Sequence, residues 1–267
     1  FPYTTLFRSI DGEQLDLNSV SFCEFRRILD LKEGTLTREF IWNTRSGKRL
    51  KVKFLRFLNM ESTHEGFQRI IFEPINFSGN IDIIMALDFG TIQTTKHKNY
   101  WNVIKKEASD EIVAVIGKTL TSNQRVFSGF KLVSDKINSK SVYEDHKITG
   151  YKISLTLIKG EASVIDKLVS NVVLKDTSKD DDYLLYKGTN AVLKQYNKGL
   201  DVALKENKTL WGNIWDRFDI QIDGDEKNQQ GIRYCIFQMQ QTYHGQDPSN
   251  NIGAKGLTGE AYNGHAF

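Results

Sequence analysis

Residues 224–267 read GDEKNQQGIRYCIFQMQQTYHGQDPSNNIGAKGLTGEAYNGHAF, a segment that starts with a helical pattern and ends in a glycine-rich polar stretch. Its apolar residues follow the i, i+3, i+4, i+7 spacing of a helix that packs against a core. That stripe comprises Ile232, Cys235, Ile236, Met239 and Tyr243, and the opposite face carries Gln229, Gln230, Arg233, Gln240 and Gln241. Side-chain amides form several hydrogen bonds without charge, so the polar face suits a buried network, a hydroxyl-rich ligand or solvent.

The glycine-rich stretch follows the predicted end of this helix at residues 244–245. Asn250 and Asn251, together with nearby glycines, permit tight turns and positive φ angles. The glycines are Gly253, Gly256, Gly259 and Gly264. A loop of this composition brings its backbone close to another group, which makes it a candidate for ligand binding.

The first two thirds of the chain show a different pattern, in which apolar and polar residues alternate with period two. Alternation buries one face of a strand and leaves the other wet, as is typical of antiparallel sheets. Turn residues such as those at 46–47, 78–80 and 128–129 separate these runs. The clearest inward sets are Leu50, Val52 and Phe54; Ile81, Ile83, Met85, Leu87 and Phe89; and Tyr151, Ile153, Leu155 and Leu157. A large antiparallel β-sandwich over about residues 10–160 is therefore predicted.

The pattern changes near residue 162. Residues 163–174 have helical spacing, and a further helix is predicted from Thr189 to about Leu204, with Thr189 or Asn190 as its N-cap. A third helical pattern consists of Trp211, Ile214, Trp215 and Phe218. Aromatic residues at helical spacing indicate core packing more often than a sugar platform. The predicted organisation is a sandwich domain over residues 10–187, a helical linker over 188–223 and a second domain that begins at 224.

Composition excludes several classes of protein. The chain has 39% hydrophobic and 26% charged residues, which are ordinary values for a globular protein. The net charge of +3 is small, and basic and acidic residues are interleaved, so nucleic-acid binding is not expected. No apolar run approaches membrane length, so a membrane span is not expected either. The two cysteines, Cys23 and Cys235, favour a reduced, cytoplasmic protein without a disulfide framework.

Several short segments resemble one enzyme family. These are LDLKEGTLTR at 29–38, DIQIDGD at 219–225, QQGIR at 229–233, QTY at 241–243 and NIGAKGLTGEAYNGH at 251–265. Together they resemble glycoside hydrolase family 65, which includes maltose, trehalose, kojibiose and nigerose phosphorylases. The resemblance implies an antiparallel β-sandwich, linker helices and then the first helix of an (α/α)6 barrel catalytic domain.

The resemblance also implies a reaction. An inverting phosphorylase uses inorganic phosphate as nucleophile, so it needs one carboxylic acid where a hydrolase needs two carboxyl groups. Phosphate would attack the anomeric carbon of an α-glucose disaccharide and release β-D-glucose 1-phosphate. The general-acid glutamate of the family lies beyond Phe267, so no catalytic residue is assigned in this chain. No cofactor or metal is expected, and the full-length protein is expected to be a homodimer.

The candidate substrate-binding residues are Lys255, Glu260, His265 and Phe267, all in the glycine-rich loop. Three of them have a second interpretation. Glu260 suits a sugar hydroxyl or the N–H groups of a tight turn, while His265 suits a sugar hydroxyl or a loop contact. Lys255 suits phosphate or an ion pair with Asp247. Phe267 stands just before the position at which the family has a Trp-Asp pair that holds the donor sugar.

Other polar clusters give weaker signals. The run Asp180–Asp182 resembles a cation site, but three consecutive aspartates in a regular element cannot point at one ion. His64, His97 and His146 lack metal-ligand spacing and are interpreted as surface residues.

The amino terminus, FPYTTLFRS at residues 1–9, resembles the translation of a DNA sequencing adapter and is expected to stay outside the fold. The alternative is an edge strand with Pro2 at its start. With an artificial start and an interrupted catalytic domain, the chain is expected to be an internal piece of a longer protein. Two other functions compete with a phosphorylase, namely a family 65 hydrolase such as an acid trehalase and a non-catalytic carbohydrate-binding sandwich.

Overall fold

The computed structural model describes residues 4–62, 64–93, 96–175 and 178–243, with side chains from residue 9 onward. Within these residues, twelve strands precede three helices. The strands are β1 (Thr4–Ser9), β2 (Ser21–Asp30), β3 (Thr35–Asn43), β4 (Arg49–Leu58), β5 (Glu65–Pro74), β6 (Gly79–Asp88), β7 (Trp101–Ala108), β8 (Val113–Thr119), β9 (Arg125–Val133), β10 (Ile137–Asp145), β11 (Ile148–Leu157) and β12 (Ser163–Leu174). The helices are α1 (Asp181–Lys198), α2 (Leu200–Phe218) and α3 (Glu226–Thr242).

The strands form two antiparallel sheets that pack face to face. The smaller sheet has the order β1-β6-β11-β10, and the larger has the order β2-β3-β4-β5-β12-β9-β8-β7. The predicted antiparallel β-sandwich is therefore confirmed. The alternating residues of β4, β6 and β11 point into the space between the sheets, where they form one buried cluster with Phe72, Phe130 and Ile165.

The segment Ser163–Leu174 is a strand, so the helix predicted there is wrong. Both faces of β12 are buried. Ile165 and Val169 point into the inter-sheet core, whereas Leu168 and Val172 contact the helices on the other side of the sheet. A strand that is buried on both faces loses its period-two signal, and its apolar residues can then mimic helical spacing.

Helices α1 and α2 cover the outer face of the larger sheet. Leu184 and Val192 of α1 pack against Phe127 and its neighbours. Leu200 and Ala203 of α2 pack against Phe57, Phe67 and Leu168. The predicted linker, residues 188–223, thus corresponds to most of α1 and all of α2.

The helix boundaries differ from those predicted. Helix α1 begins at Asp181 because Asp180 accepts a hydrogen bond from the backbone N–H of Tyr183 at 2.8 Å, so neither Thr189 nor Asn190 is the N-cap. The helix is interrupted at Gly199, whose φ of 79° separates α1 from α2.

The three consecutive aspartates have separate partners. Asp180 caps α1, Asp181 lies 3.1 Å from Arg125, and Asp182 lies 3.0 Å from Lys105. Their side chains therefore diverge, which agrees with the interpretation that this run does not hold a cation.

The segment Thr4–Ser9 pairs with β6, from Thr4 opposite Ala86 to Ser9 opposite Asp82. This pairing disagrees with the expectation that residues 1–9 stay outside the fold, and it fits the edge-strand alternative. Strand β6 is an apolar strand, and its backbone N–H and C=O groups need partners along both edges. Residues 1–3, including Pro2, lie outside the described residues.

Candidate functional site

The connection between α2 and α3 is held by residues of the family-like segments. Asp219 accepts two hydrogen bonds from the Arg233 guanidinium, at 2.8 and 2.7 Å, and this interaction lowers the pKa of the Asp219 carboxyl. The Gln229 side chain donates to the Ile220 carbonyl at 2.8 Å and accepts from the Ile222 N–H at 2.7 Å. Gln229 and Arg233 therefore fix the start of α3. Of the alternatives for the polar face of this helix, these two side chains form a hydrogen-bond network within the chain.

Helix α3 also has a local start signal. Its N-cap is Asp225, which accepts a hydrogen bond from the Asn228 N–H at 2.9 Å. The Asp225 cap, the Gln229 side-chain amide and the Asp219–Arg233 ion pair together set the direction of α3 relative to α2. The chain then continues from Tyr243 toward the glycine-rich loop.

The buried face of α3 differs from the predicted stripe. Ile236 and Phe237 are buried, whereas Cys235 is exposed and Met239 is 62% exposed. Phe237 stacks on Trp211 of α2, with ring centroids 4.5 Å apart. Because this contact with α2 rotates the helix toward Phe237, part of the predicted apolar stripe faces away from the described residues.

The aromatic residues of α2 form a core beside the β2–β3 hairpin. Trp211 is 2% exposed, which confirms its interpretation as a core residue, and Trp215 donates to the Leu31 carbonyl at 2.9 Å. Phe218, at the end of the same helix, is 44% exposed. A Cβ atom on Gly34 would lie 1.9 Å from Nε1 of Trp211, so the hairpin and α2 approach as closely as glycine permits.

A cavity of about 840 Å³ lies between this aromatic cluster and the inner face of β3 and β4. Its apolar walls include Leu29, Leu36, Phe54, Met60, Trp211 and Phe237. Arg38, Arg56 and Gln68 also line it. Arg38 belongs to the family-like segment at 29–38, but neither arginine was predicted to line a site, although each occupies an inward-facing position on a strand. A charged residue in phase with the core residues of its strand is the signal that could have identified them.

The predicted substrate-binding residues lie outside the described part of the chain. Lys255, Glu260, His265 and Phe267 all follow α3, which ends at Thr242 with Tyr243 as its C-cap. Their placement in a sugar-binding loop stays a prediction.

Metal sites and membrane-spanning helices are both absent from the described residues. There, no group of three or more His, Cys, Asp or Glu side chains could hold a metal ion. His64 is exposed, and its Nδ1 lies 3.0 Å from the Asn171 carbonyl. None of the helices in the described ranges combines the length and the apolar character that a bilayer span requires.

Comparison with known sequences identifies the class of protein. A sequence model of the N-terminal domain of glycosyl hydrolase family 65 matches residues 3–214, and a model of the central catalytic domain of that family matches residues 233–267. The chain belongs to glycosyl hydrolase family 65. Residues 215–232, which contain the α2–α3 connection, lie between the two matched segments.

Individual relatives agree with this assignment. The chain is 28% identical to an α,α-trehalose phosphorylase of Thermoanaerobacter brockii, with 97% of the chain and 34% of the relative aligned. It is 28% identical to a maltose phosphorylase of Bacillus subtilis, over 97% of the chain and 34% of the relative. A solved structure from the human microbiome, described as a kojibiose phosphorylase, superposes with a TM-score of 0.90 and 34% identity over 98% of the chain and 34% of that structure. The chain thus spans about a third of the length of these relatives.

Proposed function

We propose that the longer protein to which this chain corresponds is an inverting α-glucoside phosphorylase that releases β-D-glucose 1-phosphate from a disaccharide. The observation that supports it is the match to proteins named as trehalose, kojibiose and maltose phosphorylases along 97% of the chain. The match to the central catalytic domain over residues 233–267 favours an enzyme over a non-catalytic binding sandwich.

In the proposed reaction, an oxygen of inorganic phosphate forms a bond to the anomeric carbon from the face opposite the leaving sugar. The glycosidic bond breaks, and the leaving oxygen takes a proton from a glutamic acid that lies beyond Phe267. Phosphate is already an anion, so no carboxylate has to deprotonate a nucleophile. The proposal includes no cofactor, a cytoplasmic location and a homodimer.

The described residues would act by positioning. The Asp219–Arg233 ion pair and the two Gln229 hydrogen bonds fix the start of α3 on α2, and α3 leads directly into the glycine-rich loop. We propose that Lys255, Glu260, His265 and Phe267 of this loop contact the donor glucose. An error in the direction of α3 would be transmitted to all four residues.

The test is an assay of the protein encoded by the longer reading frame on maltose, trehalose, kojibiose and nigerose, with and without phosphate. The expected result is phosphate-dependent release of glucose 1-phosphate, detected as the β anomer by NMR, from one of these sugars. Phosphate-independent release of glucose would instead assign a hydrolase such as an acid trehalase. Absence of turnover on all four sugars, in a protein shown to be folded, would favour a non-catalytic sandwich.

A second test concerns the loop. Glu260→Gln is expected to raise KM for the disaccharide and to leave the anomer of the product unchanged, because its proposed contact is to a sugar hydroxyl. The matched control is Glu226→Gln, which removes an exposed carboxylate from the first turn of α3. Equal kinetics for the two variants would remove Glu260 from the site.

A further inference from the structure

The cavity beside α2 is lined by two arginines, Arg38 and Arg56, and a third arginine, Arg27, neighbours them on the inner face of the larger sheet. Arg27 of β2 pairs with Arg38 of β3, and Arg38 pairs with Phe54 of β4. Arg56 lies two residues further along β4, so it is the diagonal neighbour of Arg38 on the same face. Arg27 and Arg56 are exposed and Arg38 is half-buried, so three positively charged residues share one face of the sheet beside the inter-sheet core.

No carboxylate neutralises this cluster within the described residues. None of the three arginines forms a salt bridge there, and the buried Nε of Arg38 has no hydrogen-bond partner. Burial lowers the pKa of the Arg38 guanidinium, and the charges of Arg56 and Arg27 lower that pKa further. Asp16 also lines the cavity, but its Oδ1 accepts from the backbone N–H and the side chain of Asn18, both at 3.0 Å.

The walls define the shape of a ligand. The Arg38 guanidinium carbon lies 4.5 Å from the centre of the Phe54 ring, in a cation–π contact. A planar guanidinium is well suited to bidentate contact with a phosphate or carboxylate. Leu29, Leu36 and Phe54 add apolar surface around it. The cavity therefore combines donors for an oxyanion with walls that suit a non-polar group.

We propose that this cavity is an oxyanion-binding site in which Arg38 and Arg56 hold a phosphate ester whose body packs on the apolar walls. An unpaired, partly buried guanidinium is costly, and so is the repulsion among three like charges. A bound dianion would remove both costs. This site is independent of the proposed sugar phosphorolysis, because its residues lie on β3 and β4 and its test measures binding alone.

The experiment is isothermal titration calorimetry of the chain at constant ionic strength, with inorganic phosphate, glucose 1-phosphate and phenyl phosphate as separate ligands. Phenyl phosphate carries the same oxyanion on an apolar ring. It is expected to bind at least about threefold more tightly than phosphate if the ring enters the apolar part of the cavity. The same preference for glucose 1-phosphate would instead assign a sugar phosphate as the natural class.

Variants identify the residues. Arg38→Met and Arg56→Met are each expected to weaken phenyl phosphate binding by about tenfold or more, since each removes charged hydrogen bonds to the oxyanion. Arg26→Gln is the matched control, because Arg26 pairs with Glu39 on the opposite face of the same sheet. The affinity of this variant for phenyl phosphate should stay within about twofold of the wild-type value. Arg38→Met should also keep or raise the melting temperature without ligand, which separates lost binding from lost folding.

Three results would overturn the proposal. The first is equal binding by wild type, Arg38→Met and Arg56→Met, and the second is equal loss of binding in Arg26→Gln. The third is that this chain binds phenyl phosphate whereas the longer protein does not. In that case, a carboxylate from elsewhere in the longer protein occupies the arginine cluster, and the cavity is an internal contact rather than a ligand site.

Discussion

Lys167 lies in the core between the two sheets, and its ionisation should control stability in the alkaline range. The side chain is fully buried, its Nζ donates to the Ala86 carbonyl at 2.9 Å, and it lies 4.2 Å from the centre of the Phe130 ring. Burial lowers the pKa of Lys167 from its ordinary value of 10.5 to about 7. No anion stabilises the ammonium among these contacts, so the folded state favours the neutral amine.

The sign of the pH effect follows from proton counting. Between pH 7 and 10.5, the unfolded chain keeps the Lys167 proton and the folded chain has lost it. The unfolded state then binds more protons, so the free energy of unfolding rises with pH, by up to about 1.4 kcal/mol per unit. The rise over pH 7–9.5 should be about 3 kcal/mol. Tyr151 has the opposite effect above pH 10, because burial raises its pKa to about 12, so the measurement should stop at 9.5.

Lys167→Met should remove this slope. Methionine has a similar length and no charge, so the variant should be about 2–3 kcal/mol more stable than the wild type at pH 7. The difference should shrink toward zero by pH 9.5. The assay is urea unfolding followed by tryptophan fluorescence at half-unit pH steps, with Lys152→Met, an exposed lysine of β11, as the control. A wild-type slope that persists in Lys167→Met would refute the assignment of the titration to this residue.

Three further outcomes are expected. Gly34→Ala should destabilise the fold by about 3 kcal/mol or more, because the new Cβ would clash with Trp211 and alanine is strained at a φ of 65°. Gly47 has a φ of 80° and open space around it, so Gly47→Ala should lower the free energy of unfolding by only about 1–2 kcal/mol in the same urea titration. Deletion of residues 1–9 should cost more than about 1 kcal/mol, since it exposes an edge of β6, and a change within about 0.5 kcal/mol would restore the view that this segment is an adapter-derived addition. The chain by itself should release no glucose 1-phosphate from any of the four disaccharides, and turnover that disappears in Glu260→Gln would show that the general acid has been sought in the wrong segment.

Much of the β-sandwich could be predicted from local pattern. Strands β4, β6 and β11 have one side toward the inter-sheet core, and their alternation gave both the strand type and the buried face. The same reasoning failed for β12, because helices cover its second face and erase the alternation. A sequence pattern records how many faces are buried but does not say what buries them.

For the candidate site, the helix could be predicted from local pattern but the face that it buries could not. The spacing of apolar residues predicted an amphipathic helix after Gly224, and α3 spans Glu226–Thr242. Its buried face was predicted less well, since the choice of Phe237 over Met239 depends on Trp211, which lies in a different helix. Hydrophobic spacing within one helix carries no information about the position of its neighbour.

The sequence by itself determined the fold class, the order of sandwich and helices and the family, because these depend on side-chain periodicity and on the identity of residues in short segments. Only the tertiary structure decided the pairing of β1 with β6, the convergence of Arg38 and Arg56 on one cavity and the burial of Lys167. Each of these depends on residues that are distant in the chain and adjacent in space. The energies of burial and of charge repulsion are set by that proximity, so they have no counterpart in the linear order of residues.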